Sequence, residues 1–292
     1  MDDNSEAALV KALTARRRPR VLYHYTSASS LIGILQSQAI WTTNIRFLND
    51  TTEYAFALEL ARDVIQRRAD NVRNKFDFGL YTVLLERLTA ATRSEVYVSS
   101  FTENADQLGQ WRAYCPPTGG YAVGFRSKTL VQVPTNEVQR FLTRCVYDGE
   151  DQYNLVNSLV QVIANFAQEK ITLKLEHDRI FREAFKLFGR LLPLIAPALK
   201  HSSFAEEQEW RLVCLPNSFE NSPARFRAGR SMIIPYHEHS LNGGTPKLPI
   251  EELMIGPTPH PGLARESAQN LLLSYGLMKA TVRSSSIPYR SW

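Results

Sequence analysis

Apolar and polar positions change their period several times along the chain, and each change predicts an element. Val21-Leu22-Tyr23-His24-Tyr25 is an apolar and aromatic run that reads as a β-strand, and Thr26 or Ser27 can cap a following helix carrying Leu31, Ile32, Ile34 and Leu35. Ala39-Ile40-Trp41 reads as a second short strand, and Asn49-Asp50 as the cap of a long helix with Tyr54, Phe56, Leu58, Leu60 and Val64. Residues 76–88 are helical in pattern, residues 95–101 alternate in the strand manner, residues 107–114 form a short helix, and residues 119–125 give another strand after Pro116-Pro117. Residues 151–200 are almost wholly helical, with apolar faces built from Leu155, Leu159, Val160, Ile163, Phe166, Phe185, Phe188, Leu191 and Leu192. Short strands return at 209–214, 231–234 and 253–255, followed by a helix over 262–275 and a closing strand at 280–283.

Strands far apart in sequence and interrupted by helices predict an α+β fold with a central mixed or antiparallel sheet. The expected organisation is a basic N-terminal helix or tail over 1–20, then one α+β domain over 21–292 with a helical insert at about 151–200. The pattern holds no internal repeat and no low-complexity linker.

Composition narrows the class of protein. The chain has 292 residues and 44% hydrophobic content, enough for an ordinary core. No run reaches the ~20 apolar residues of a membrane span, and Met1-Asp2-Asp3-Asn4-Ser5-Glu6 is acidic where a secretory signal is basic and then apolar. A soluble, cytoplasmic protein with no membrane partner is expected. Cys115, Cys145 and Cys214 lie far apart without a CxxC pair, so reduced, structural thiols are expected. The net charge is +5, and part of the excess sits in Arg16-Arg17-Arg18-Pro19-Arg20. That run could touch phosphates, but the end of an N-terminal helix over residues 5–18 is the preferred reading, because cations complement a helix C-terminus.

The chain lacks a Walker A loop, a GxGxxG fingerprint, a GxSxG elbow and an HExxH motif. His237 and His239 could share a strand face and bind a metal, but no third ligand is evident and surface histidines in a turn are the expectation, with no metal. Cys115 could act as a nucleophile with His24 as its base, yet nothing nearby lowers its pKa, and a buried structural thiol is preferred. In Glu206-Glu207-Gln208-Glu209-Trp210-Arg211, alternation sets Glu207, Glu209 and Arg211 on one face and Trp210 and Leu212 on the other. Those carboxylates either face water or sit in a cleft where Arg211 fixes Glu209 or grips an anion. Ser99-Ser100-Phe101-Thr102 ends a strand in hydroxyls. Trp111 and Tyr114, at i and i+3, are core packing or a stacking wall for a planar ring. Asp50 and Glu53 have capping-box spacing.

Taken together, these stretches resemble a bacterial family catalogued as a domain of unknown function, number 2971. The matching segments are Tyr23-His24-Tyr25-Thr26-Ser27, Asn49-Asp50 with Glu53, Ser100-Phe101 leading to Trp111 and Tyr114, Glu207-Gln208-Glu209-Trp210-Arg211, Ile255-Gly256-Pro257, and Ser286-Ile287-Pro288-Tyr289-Arg290. A looser resemblance is to ADP-ribosyltransferases, in which a His on the first strand, a hydroxyl-rich middle strand and a Glu on a late strand line an NAD site. That resemblance implies an ADP-ribosyltransferase-like sheet and NAD as substrate. His24 would bond a ribose hydroxyl, Thr26 or Ser27 would help hold the adenosine side, Tyr25 would belong to the same NAD-binding set, and Ser100 would brace the central strand. Glu209 would be the catalytic glutamate, with Glu207 orienting or deprotonating the acceptor. Phe101 falls on the strand face opposite Ser100, so Trp111 or Tyr114 would stack on nicotinamide. The implied reaction transfers ADP-ribose to a macromolecular acceptor, protein or nucleic acid, or cleaves NAD, as in a toxin or phage-defence effector with an antitoxin partner. The alternatives are a non-catalytic nucleotide- or peptide-binding module and a nucleic-acid-acting protein.

Overall fold

The computed structural model describes residues 13, 17–48, 53–90, 95–131, 138–216, 223–229, 231–241 and 248–289. The N-terminal helix expected over residues 5–18, the Asn49-Asp50 cap with its capping box, and Arg290 lie outside the described residues in whole or in part. Contacts divide the chain into two compact units, one of residues 1–15, 44–96 and 143–205, the other of residues 16–43, 97–142 and 206–292.

The first unit is helical. Its helices are labelled here with the chain's others in order: α1 Ala28–Ser37, α2 Glu53–Asn71, α3 Lys75–Ala90, α4 Leu108–Tyr114, α5 Gly149–Thr172, α6 His177–Ile195 and α7 Pro261–Ser274. The helices of the expected insert, α5 and α6, pack with α2 and α3, burying Ala61, Ile65, Leu84, Leu88, Val156, Ile163, Phe188 and Leu191. Each buried Val, Leu, Ile or Phe side chain contributes about 1.5–3 kcal/mol. Asp148 caps α5 by accepting from the Glu150 and Asp151 amides at 2.9 and 3.0 Å. Arg68 of α2 binds Asn157 of α5 through Nε at 2.8 Å and Nη2 at 2.6 Å.

The second unit carries the sheet. Its strands are β1 Val21–Thr26, β2 Ala39–Asn44, β3 Tyr97–Thr102, β4 Tyr121–Arg126, β5 Val138–Arg144, β6 Glu209–Pro216, β7 Arg225–Ala228, β8 Ile233–Ser240, β9 Ile250–Ile255 and β10 Thr281–Ser284. The order is β10-β9-β4-β1-β3-β2-β8-β7, with β6 also on β3 and β5 on β6. β10 runs parallel to β9, while β1 pairs antiparallel with β3 and β4, β4 with β9, and β6 with β3. The expected α+β fold with a mixed sheet is therefore present. Among the described residues no helix is long and apolar enough to cross a membrane.

Two strands were not predicted. β7 buries no residue fully and so has no apolar face to detect, and β5 intersperses Gln139, Arg140 and Arg144 among its apolar positions. The expected turn at His237 and His239 is corrected: both lie within β8, opposite Thr42 and Ile40, and His239 is 1% exposed. A long strand can hold polar residues where its partner covers them, and Ile40 belongs to the main core cluster.

Residues directly opposite on paired strands share a sheet face. Leu22, Val123, Leu253, Phe101, Trp210 and Leu212 belong to the first face, packed with Leu31 and Leu35 of α1 and Ala268 and Leu272 of α7. The second face holds a smaller cluster of Tyr25, Trp111, Ala122 and Met254.

Candidate functional site

β1 and β3 meet at a single bridge, Tyr23↔Thr102. Beyond it β1 continues with β4, while β3 continues with β2 and β6, so the sheet divides there. His24 is the next residue. Its Nδ1 lies 2.9 Å from the Ser100 carbonyl, and a carbonyl can only accept, so Nδ1 carries the proton and Nε2 is left with its lone pair. Burial lowers the pKa of His24 from 6.5, outweighing the opposing pull of the Ser100 bond, and the ring is neutral at pH 7. The ring is partly buried and tilts against Phe101 at 5.7 Å between centroids. Among the described residues Nε2 makes no hydrogen bond.

A cavity of about 320 Å³ opens where β1 passes into α1, bounded by Ser27, Ser29, Thr118, Gly120, Tyr121 and Thr258 among others. Tyr121 pairs with Thr26 and with Ile255, which puts the cavity on the same face as His24. Ser27 is the predicted cap: its Oγ accepts from the Ser30 amide at 3.1 Å and lies 2.9 Å from Ser29 Oγ. Two glycines shape the wall. Gly119 has φ +131°, open to glycine alone at little cost, and a Cβ on Gly120 would lie 2.4 Å from Cys115 Sγ. Cys115 is held by the Thr26 carbonyl at 3.5 Å and burial pushes its thiol up to about 11, so it is a structural thiol.

Glu209 and Arg211 lie on the second face, opposite Thr102 and Ser100, with Trp210 and Leu212 on the first, as alternation predicts. Arg211 grips Glu209 through Nε at 2.8 Å and Nη2 at 3.1 Å, and the two are 1% and 4% exposed. Arg211 thus fixes the carboxylate. The expectation that Glu207 shares their strand face is corrected, because Glu207 ends the 3-10 turn Ser202–Glu207 and Gln208 has φ +45°, which breaks the alternation before β6 begins. The end of that turn is pinned by two bonds, Thr102 Oγ1 to the Glu207 carbonyl and Gln107 Nε2 to the Glu206 carbonyl, both at 2.7 Å, and Gln208 by a third, Asn104 Nδ2 to its Oε1 at 3.3 Å.

The remaining candidates separate. Tyr25 is buried, donates to the Asn104 carbonyl and accepts from the Gln107 amide, both at 3.0 Å. Trp111 packs edge-on to Tyr25 at 4.5 Å and donates to Asp106 at 2.8 Å, whereas Tyr114 is exposed. The i, i+3 pair therefore does not form one wall, because α4 buries only the Trp111 side. Thr26 is buried, and its carbonyl rather than its hydroxyl meets Cys115. The structure brings His24 and Thr26 to one face and Ser100, Glu209 and Arg211 to the other, on the neighbouring strands β1, β3 and β6, with Ser27 beyond β1 as the cap of α1.

Asp106 was not anticipated. It accepts from Trp111 Nε1, from Ser285 Oγ at 2.6 Å and from the Ser286 amide at 3.0 Å. Ile287 joins the Tyr25 cluster, and Arg112 lies over Tyr289 at 4.8 Å. The closing segment singled out in the sequence therefore straps α4 to the second face. An isolated Asp in a loop carries no signal of such a role.

Neither the curated proteins nor the solved structures contain a match to this chain. The profile of the family described as Protein of unknown function (DUF2971) matches residues 110–212, which include Trp111, Tyr114, Glu207, Glu209 and Arg211, so the resemblance read from the sequence holds over that stretch.

Proposed function

We propose that the second unit binds NAD at the His24 edge of the sheet and is ADP-ribosyltransferase-like in the roles of its strands. The observation that carries this reading is the fixed tautomer of His24. A neutral imidazole with its Nδ1–H held by a backbone carbonyl presents Nε2 as a pure acceptor, suited to a ribose hydroxyl. The hydroxyl-lined cavity beside it, at the start of α1, suits the polar and anionic parts of a dinucleotide. The adjacency of β1, β3 and β6, which gathers His24, Ser100 and Glu209 on three neighbouring strands, supports the same layout.

In the catalytic form of this reading the C1′–N bond to nicotinamide breaks and its electron pair leaves with the nicotinamide. Glu209 stabilises the positive ribose, and water or a macromolecular acceptor takes ADP-ribose. The bidentate Arg211 grip and the placement of Glu209 on the face away from His24 favour a second reading, a nucleotide-binding module in which Glu209 is structural.

Calorimetric titration of the whole protein with NAD, followed by an assay for released nicotinamide, tests both. Saturable binding weakened at least about tenfold in His24→Ala supports the site. Release of nicotinamide that stops in Glu209→Gln supports the catalytic form. No saturable binding overturns the NAD reading altogether.

A further inference from the structure

Arg17, Arg18 and Arg20 precede β1, and Arg126 and Lys128 end β4 and follow it. These segments lie more than a hundred positions apart, yet Val21 pairs with Arg126. Ser127, which is buried, staples them: its amide donates to the Arg20 carbonyl at 3.0 Å and its Oγ donates to the Pro19 carbonyl. The five cations line one depression of about 760 Å³. One carboxylate, Glu251, aligns two of them, bonding Arg20 Nε at 3.0 Å and Arg126 Nε at 2.5 Å. Arg20 and Arg126 remain 81% and 55% exposed, so their outer guanidinium N–H groups face solvent. Arg17, Arg18 and Lys128 make no ion pair or hydrogen bond among the described residues. Five cations against one carboxylate leave a local excess of four positive charges.

We propose that this groove binds the phosphodiester backbone of a nucleic acid. Four of the five cations are arginines, whose planar forks match phosphate oxygens bidentately. The depression is too large for one phosphate and gathers five cations from two chain segments, as a run of phosphates requires. Among the described residues its lining holds no large apolar side chain that would anchor in a bilayer. The groove reads charge and spacing rather than bases, so binding is sequence-independent and strongly salt-dependent. This inference does not rest on the NAD reading, although a nucleic acid held here would be a natural ADP-ribose acceptor.

The test is fluorescence anisotropy of the intact protein with a labelled 20-nucleotide single strand and the corresponding duplex, from about 50 to about 200 mM salt. The expected result is binding whose log–log salt slope is about −3 to −4 on duplex and somewhat shallower on the single strand, at roughly 0.9 and 0.7 per phosphate. In Arg17→Ser/Arg18→Ser/Lys128→Ser the affinity falls about tenfold or more at the lowest salt and the slope flattens, while the urea midpoint stays that of the wild type, since none of the three makes an ion pair or hydrogen bond among the described residues. Salt-insensitive binding, equal binding by the triple variant, or equal displacement by polyglutamate or anionic vesicles would each overturn the proposal.

Discussion

Replacing Glu209 by Gln in the buried Glu209–Arg211 pair separates a structural from a chemical role for this carboxylate. The change keeps the side-chain shape but removes the negative charge that Arg211, 1% exposed, grips through two hydrogen bonds. Removing one partner of a buried ion pair costs about 3–5 kcal/mol, because the remaining charge keeps its desolvation penalty and loses its compensation. With a urea dependence of about 2 kcal/mol per molar, the midpoint falls by roughly 1.5–2.5 M. Arg211→Met in the Glu209→Gln background removes the buried cation, and part of the lost stability returns, the new buried amide still costing about 1–3 kcal/mol. Urea titrations followed by tryptophan fluorescence read both changes, Trp210 lying between the two residues. A Glu209→Gln protein as stable as wild type, or a double variant no better than the single one, would refute the argument. The double variant also serves the functional question. If it folds and binds NAD but releases no nicotinamide, the carboxylate acts on the substrate; if the wild type binds NAD without turnover and the double variant binds equally well, the pair is architectural.

Further predictions follow from single positions. Burial and the nearby Arg140 charge push His239 from 6.5 down to about 4. The folded state therefore binds fewer protons than the unfolded one between these values, so the contribution is complete above pH 6.5 and is lost as pH falls towards 4. It is worth about 3 kcal/mol, and His239→Leu should flatten that part of a plot of urea midpoint against pH; a variant with the wild-type slope would count against it. Gly120→Ala presses a methyl group onto Cys115 and should cost about 1–3 kcal/mol, with Cys115→Ala restoring part of it; an unchanged melting temperature would show that the wall yields freely. Tyr25→Phe strands the Asn104 carbonyl and the Gln107 amide, at a cost of about 1–3 kcal/mol, checked by chemical denaturation and contradicted by a loss below about 0.5 kcal/mol.

How far the sequence speaks depends on whether the responsible interaction is local. β1, the Ser27 cap and the alternation of Glu209, Trp210 and Arg211 are legible because each follows from a few neighbouring residues. Glu207 is not, since the break at Gln208 is a backbone choice, φ +45°, that leaves the hydrophobic pattern untouched. His239 is misjudged as a surface residue because its cover comes from β2, almost two hundred positions upstream. The groove of Arg17 to Arg20 with Arg126 and Lys128 is hidden for the same reason, as is the Asp106 strap. In the local run each looks like an ordinary solvated residue.

The relation of His24 to Glu209 turns on parity. Side chains alternate with period two, so one bridge decides which residues of neighbouring strands share a face. With Tyr23 opposite Thr102, and Thr102 opposite Glu209, the β1 side chain on the face of Glu209 is Tyr23, whose hydroxyl donates to Glu252 at 3.0 Å. A shift of one residue would exchange His24 for Tyr23 and bury a phenol against Phe101. The register is held from the other side, where Tyr23 lies across Gly124 so closely that a Cβ there would meet its ring at 2.9 Å. A ligand that engages both His24 and Glu209 must therefore reach both faces of the sheet, and the imidazole bond to the Ser100 carbonyl ties β1 to β3 beside the single bridge between them.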